Sequence, residues 1–192
     1  HDGMLASITL SVNGKDVRRV RFDYYSMGDL LGDLNDLKHV VVEEYQEATE
    51  DWRILGQEAY RYHKGHSSNL LKFALGFESY KAMARDGFDP LTASNIADYA
   101  DFHFEYDARD RVVTETLNGG KHTYTLSYLE NETFPGVAEK NTWAVKTTES
   151  RPDGSDYLVY TNASGSPVLT ALQEANGGRI WFESFERNAS GR

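Results

Sequence analysis

Tyr106-Asp107-Ala108-Arg109-Asp110-Arg111-Val112-Val113-Thr114-Glu115-Thr116-Leu117-Asn118-Gly119-Gly120-Lys121-His122-Thr123-Tyr124-Thr125-Leu126-Ser127-Tyr128 is the stretch whose period decides the fold class. Val112, Thr114 and Thr116 alternate on one register, the Leu117-Asn118-Gly119-Gly120 break follows, and His122, Tyr124, Leu126 and Tyr128 alternate again. β-Branched and aromatic residues at period two on both sides of an Asn-Gly pair predict an antiparallel hairpin. Asn and Gly tolerate the positive φ that a tight turn demands, and Gly120 lengthens the loop.

The same rhythm extends outward in both directions. Residues 5–12 and 17–25 flank Asn13-Gly14, residues 37–45 centre on Val40-Val41-Val42, and residues 51–63 carry Gly56 as a bend or bulge. Downstream, residues 143–148 and 157–161 flank Pro152-Asp153-Gly154, and residues 168–173 and 179–185 bracket Asn176-Gly177-Gly178. Between the two strand-rich regions the period changes. Leu70, Leu71, Phe73, Ala74, Phe77, Tyr80 and Met83 recur at three- and four-residue spacings over residues 69–85, which predicts a helix with Leu70, Phe73, Phe77 and Tyr80 as its packing stripe. A second short helix is expected over residues 92–100, after the Asp86-Gly87 and Asp89-Pro90 breaks. The fold class is therefore mainly β, built of antiparallel hairpins with an α-helical insertion. Residues 1–68 form a strand-rich region, 69–100 the helical insertion and 101–192 a run of hairpins expected to pack with the first region as one unit.

Composition narrows the function classes. The 192 residues include 20 Lys plus Arg against 30 Asp plus Glu, a formal charge of −10 that opposes a general nucleic-acid surface. Arg18, Arg19 and Arg21 read as solvated strand ends. With no cysteine there is neither a disulfide nor thiolate chemistry. No run approaches the roughly 18 apolar residues of a membrane span, and the start lacks a basic stretch followed by an apolar core, so neither an integral membrane segment nor a signal peptide is read in this chain.

Chemistry-bearing residues are sparse. On residues 101–107, Asp101, His103, Glu105 and Asp107 share one face, opposite Phe102, Phe104 and Tyr106. On that face His103 is the candidate proton carrier, with Asp101 or Glu105 orienting it or binding metal, although a half-buried strand shows the same alternation. Trp52, Trp143 and Trp181 are candidate platforms for sugar rings. Glu43 and Glu44 are adjacent and so cannot share a face of a regular strand. Gly28-Asp29-Leu30-Leu31-Gly32 lacks the lysine of a phosphate loop. No complete metal-ligand set is legible and no obligatory cofactor is expected. Acidic loops such as that of Asp153 and Asp156 admit calcium, and His1 with a second histidine admits copper, for which a boundary residue is the simpler account. Asn131-Glu132-Thr133, Asn162-Ala163-Ser164 and Asn188-Ala189-Ser190 fit the glycosylation pattern but read as turn residues.

The opening Tyr106-Asp107-Ala108-Arg109-Asp110-Arg111-Val112 resembles the YD repeat of bacterial Rhs proteins, of insecticidal toxin-complex shells and of animal teneurins: Tyr-Asp, two variable residues, Gly-Arg and an aliphatic residue. Asp110 takes the glycine position, where a residue of its type can adopt a left-handed turn. Residues 160–168 keep the small turn with Gly165 and place Ser166 where the arginine falls. Residues 185–192 resemble the start of another unit and stop at its arginine, which suggests an array that continues. Residues 17–100 are similar to long repeat-bearing proteins of planctomycete type. The resemblance implies a structural or interaction fragment of a secreted or cell-surface protein. Its expected partners are the remainder of a parent repeat protein, a surface partner or a glycan. The alternatives from another class are a carbohydrate-binding module and a carbohydrate-active enzyme using an acidic and histidine-bearing cleft.

Overall fold

The computed structural model describes residues 3–65, 69–133 and 140–188. Among these, twelve strands form an antiparallel sheet in chain order. They are β1 (Ser7–Val12), β2 (Lys15–Tyr24), β3 (Leu37–Gln46), β4 (Asp51–Tyr62), β5 (Leu71–Leu75), β6 (Phe102–Tyr106), β7 (Val112–Leu117), β8 (His122–Glu130), β9 (Val145–Ser150), β10 (Asp156–Thr161), β11 (Pro167–Gln173) and β12 (Ile180–Ser184). One α-helix, α1 (Phe77–Arg85), and two short 3-10 turns, Ile96–Asp98 and Ala175–Gly177, complete the described elements. The chain groups into two compact units, one of His1–Arg111 with Thr116–Lys121, the other of Val112–Glu115 with His122–Arg192.

In the first unit the hairpin grammar works as the sequence predicts. Asn13 and Gly14 stand at φ 51° and 76° between β1 and β2. The β3–β4 register shifts between Val42/Glu43, so that Val42 faces Gly56, Glu43 faces Ile54 and Leu55 is the extra residue of a bulge. Gly56 also lies under the ring of Phe77, whose Cδ2 would stand 2.7 Å from an added Cβ.

The helical insertion is smaller than its period suggests. Residues 71–75, expected as the first turn of a helix, are strand β5. Leu75 pairs with Ala59 and Phe73 with Arg61 on one side, and Phe73 pairs with His103 on the other. A short, largely apolar run fits a strand as well as a helix, and hydrogen-bonding edges on both sides decide for the strand. Gly76 then starts α1. The helix closes with Phe88 N–H on Met83 O and Gly87 N–H on Ala84 O, Gly87 standing at φ 87°. In place of the second helix, the Asp89 carboxylate accepts Leu91 N–H and the Thr92 hydroxyl and winds a turn, leaving only the 3-10 segment.

The core of this unit lies where α1 covers the sheet. Ala59, Leu75, Tyr80, Met83, Ile96 and Ala100 form one buried cluster flanked by Phe73, Leu91, Ala93 and Tyr99. Of the expected stripe, Tyr80 and Leu70 are buried and Phe73 packs partly against the core, but Phe77 is 41% exposed. It starts the helix beside the bulge, where Gly56 gives it a seat at the rim of the core. The tip of the β7–β8 hairpin docks in the same unit. Asn118 N–H bonds to Asp101 O and Gly119 N–H to Ala100 O, and a Cβ on Gly119 would fall 2.2 Å from Asp98 O.

The second unit has no α-helix among its described residues. Leu158, Val168 and Ala171 are its buried apolar side chains, and every residue of β12 is exposed.

Candidate functional site

Strand β6 presents its polar side chains at period two, yet they do not act as one group. His103 Nε2 lies 2.8 Å from Glu105 Oε1. The other Glu105 oxygen is 3.6 Å from Nε2 of His63, which also lies 2.9 Å from the carbonyl of Phe104. Glu105 thus stands between two imidazoles. His103 stacks on Phe73 with ring centroids 4.3 Å apart, and His63 meets Tyr106 edge-on at 5.5 Å. Asp101 is engaged elsewhere. Its Oδ2 accepts Gly76 N–H at 2.6 Å and its Oδ1 the Ser79 hydroxyl at 2.5 Å, so this carboxylate ties down the first turn of α1, where the exposed N–H groups of a helix favour negative charge.

His63, forty residues before His103 in the chain, is the member that period-two reading of β6 misses. It arrives because β5 pairs with both β4 and β6, and nothing local in residues 51–65 signals it. At 2.8 Å a proton can pass between Glu105 and His103, whereas His63, at 3.6 Å and against the Phe104 carbonyl, is an ion-pair neighbour only. Among the described residues no three His, Cys, Asp or Glu side chains converge into a metal-holding group. His1, which carries the copper reading, lies outside the described residues.

The Tyr106-Asp107 motif builds a turn. Tyr106 Oη donates to Leu71 O at 2.9 Å. Asp107 N–H bonds to Arg111 O and Asp110 N–H to Asp107 O, with Asp110 in the left-handed region at φ 60°. Asp107 Oδ1 accepts the N–H groups of Arg109 and Arg111 at 2.8 and 3.0 Å, and its Oδ2 takes the Arg111 guanidinium at 2.8 and 2.7 Å. The hydrogen bond from Arg111 holds the Asp107 carboxyl below the usual aspartate range.

The same backbone turn recurs twice in the second unit. Asn162 N–H bonds to Ser166 O and Gly165 N–H to Asn162 O, with Gly165 at φ 77°. Asn162 Oδ1 accepts Ser164 and Ser166 N–H at 3.1 and 3.0 Å. Arg151 N–H bonds to Ser155 O and Gly154 N–H to Arg151 O, with Gly154 at φ 82°. Here the carboxylate moves to Asp153, whose Oδ1 accepts Ser155 N–H at 2.9 Å. All three share a five-residue span, a positive φ at its fourth residue and a side-chain oxygen that takes the N–H of the fifth. Asn162 is only 4% exposed and its amide nitrogen donates to Lys140 O, while that of Asn131 donates to Trp143 O. Both asparagines of these glycosylation patterns serve their turns.

The three tryptophans stand in separate settings. Trp52, in the first unit, meets Tyr45 edge-on at 5.4 Å, and the Arg19 guanidinium lies 4.3 Å over its ring. With Lys15, Asp16, Glu47 and Glu50 these two rings line an open groove of about 660 Å³. Trp143, in the second unit, packs edge-on against Tyr160 at 5.5 Å. Trp181 sits on β12 and is 51% exposed.

Charges along β2 and β3 are paired across strands. Arg19 and Arg21 converge on Glu43 at 2.5 and 2.9 Å. Arg18 and Arg53 approach Glu44 at 3.7 and 2.7 Å. The adjacent glutamates thus face opposite sides, and the three arginines of β2 each meet a carboxylate. The arginine hydrogen bonds keep the Glu43 carboxyl below the ordinary glutamate range. Among the described residues no helix is long and apolar enough to cross a membrane. No family model matches the chain, and no curated protein matches it.

Proposed function

We propose that the protein is a structural or interaction module of a secreted or cell-surface protein of Rhs/YD-repeat type. The observation that carries this reading is the recurrence of one turn at Asp107, Arg151 and Asn162, since a turn rebuilt from different side chains marks a repeated hairpin unit. The strands at the sheet's edges support it. On β1 the side chains of Ile8, Leu10 and Val12 are each more than half exposed, and on β12 so are Ile180, Trp181 and Phe182. An edge strand offers unpaired N–H and C=O groups, and apolar side chains beside them suit a further strand rather than water. The occupant in this reading is a strand of another hairpin, from a parent repeat chain or a second copy. Concentrated protein is expected to associate through these edges, with β1 and β12 amides gaining exchange protection, and Leu10→Lys with Phe182→Lys is expected to abolish association. A protein that stays monomeric at every concentration with both strands unprotected would end this reading.

A second reading, carbohydrate binding, rests on the Tyr45–Trp52 groove, which sets two aromatic rings beside Asp16, Glu47 and Glu50. Aromatic faces take the apolar faces of sugars, and carboxylates accept from their hydroxyls. Saturable binding on a glycan panel, lost in Trp52→Ala with the fold intact, is the expected result. A panel with no saturable binder removes this reading.

A further inference from the structure

Arg61, on β4, is the charge that neither reading uses. It is 4% exposed, with Nη1 donating to Ala93 O at 2.8 Å and Nη2 to Pro90 O at 3.0 Å. Its Nε has no hydrogen-bond partner, and no carboxylate among the described residues forms an ion pair with it. The carboxylate acting on it, Asp89, hydrogen-bonds instead to Leu91 N–H and the Thr92 hydroxyl. A guanidinium does not shed its proton in a protein, so this cation is buried with carbonyl oxygens as its direct partners and Asp89 acting on it only through space. Burial accordingly lowers its affinity for the proton, the sign of a charge short of compensation.

Arg61 lines a cavity of about 440 Å³ with Lys64, Lys72, Leu31, Phe73 and Ile96. This volume falls within the range of small-molecule sites, roughly 300–1,000 Å³. Lys72 has a ring contact with Phe73 but no ion pair among the described residues. Lys64 is anchored to the Asp29 carbonyl, 3.9 Å from Asp33. The 30–31 side is fixed by Tyr62 N–H on Leu31 O at 2.8 Å. In a chain of net charge −10, three cations around one partly apolar cavity are a local reversal of sign.

We propose that this cavity binds a small organic anion, a carboxylate or phosphate ester on an apolar body, with its charge at Lys72 in the field of the buried Arg61 guanidinium and its body against Leu31, Phe73 and Ile96. Cations without contact counter-ions draw the anion, and the apolar lining selects one carrying a ring or short chain over a bare ion.

The test is calorimetric titration of the protein with benzoate, phenyl phosphate, inorganic phosphate and benzamide. Saturable binding is expected for benzoate or phenyl phosphate or both, and whichever binds identifies the anionic group. Benzamide, the neutral isostere, is expected not to bind. Lys72→Glu lies on a half-exposed strand position and leaves the packing of Arg61 in place; it is expected to weaken binding at least tenfold with an unchanged thermal transition. Arg61→Gln is a second variant, scored only if it folds. Absence of saturable binding, equal binding of benzamide, or unchanged affinity in Lys72→Glu overturns the proposal. Inorganic phosphate binding as tightly as phenyl phosphate overturns its apolar part.

Discussion

The two compact units are built from the same hairpins yet hold themselves together differently. In the first, α1 and the 96–100 segment lie over β4 and β5, and Met83, Ile96, Leu75 and Ala59 are sealed to 1% exposure or less. In the second, no helix covers the strands among the described residues, and the most buried apolar side chain, Ala171, is 4% exposed. A single antiparallel layer buries one face only where something lies on it. The second unit therefore depends more on its turns, and the hydrogen bonds of Asn162 do there what packing does at Met83.

Cavity-forming substitutions test that contrast most severely. Met83→Ala is expected to cost about 2–5 kcal/mol in a denaturant titration, because a fully enclosed site cannot collapse. Leu158→Ala in the second unit should fall at the bottom of that range or below it. Equal losses would mean that the second unit is as tightly packed as the first.

Next in size are two neighbouring glycines of one turn. Both stand at positive φ, but a Cβ on Gly119 meets the Asp98 carbonyl whereas one on Gly120 meets open space. Gly120→Ala should cost about 1 kcal/mol for backbone strain alone, and Gly119→Ala about 3 kcal/mol. Similar values for both would show that the hairpin tip is not held on the 98–101 backbone.

The turn itself comes third. Asn162→Ala leaves the part-buried Ser164 and Ser166 N–H groups without their shared acceptor, an expected loss of about 1–2 kcal/mol. Thermal melts read it, with Asn162→Asp as the variant that keeps the acceptor. If Asn162→Ala melts like the parent protein, the second unit does not rest on its turns.

The smallest effect is electrostatic. Glu43, buried between Arg19 and Arg21, has its folded pKa below its unfolded value. Its contribution is therefore complete above the ordinary glutamate pKa of about 4.3 and fades as pH falls through the lower folded value. Stability measured from neutral pH into acid should decline in that window, and more shallowly in Glu43→Gln. An identical acid slope in the variant would mean that the cluster contributes nothing. Asp107 shifts in the same direction, so some slope remains.

Local sequence made some of these features legible and hid others. Asn13-Gly14 and Asn118-Gly119-Gly120 announced turns because positive φ is a property of the residue itself. The geometry of Asp107 was readable for the same reason, its acceptor reaching backbone only two and four residues on. Leu70 to Leu75 misled, since its spacings suit a helix and only the edges of β4 and β6 make it a strand. Asp101 misled in a different way. Period two put it beside His103, but the start of α1, twenty-five residues earlier in the chain, claimed its carboxylate.

By itself, then, the chain determined where it turns, where it runs extended and which side chains share a face, because φ preferences and the period of two act within a few residues. The tertiary structure alone decided which of those faces is covered, that His63 reaches Glu105 and that Arg61 is buried without an acid at contact. Those outcomes depend on strands and loops about thirty to forty residues apart being brought into contact, a constraint of packing that no local spacing encodes.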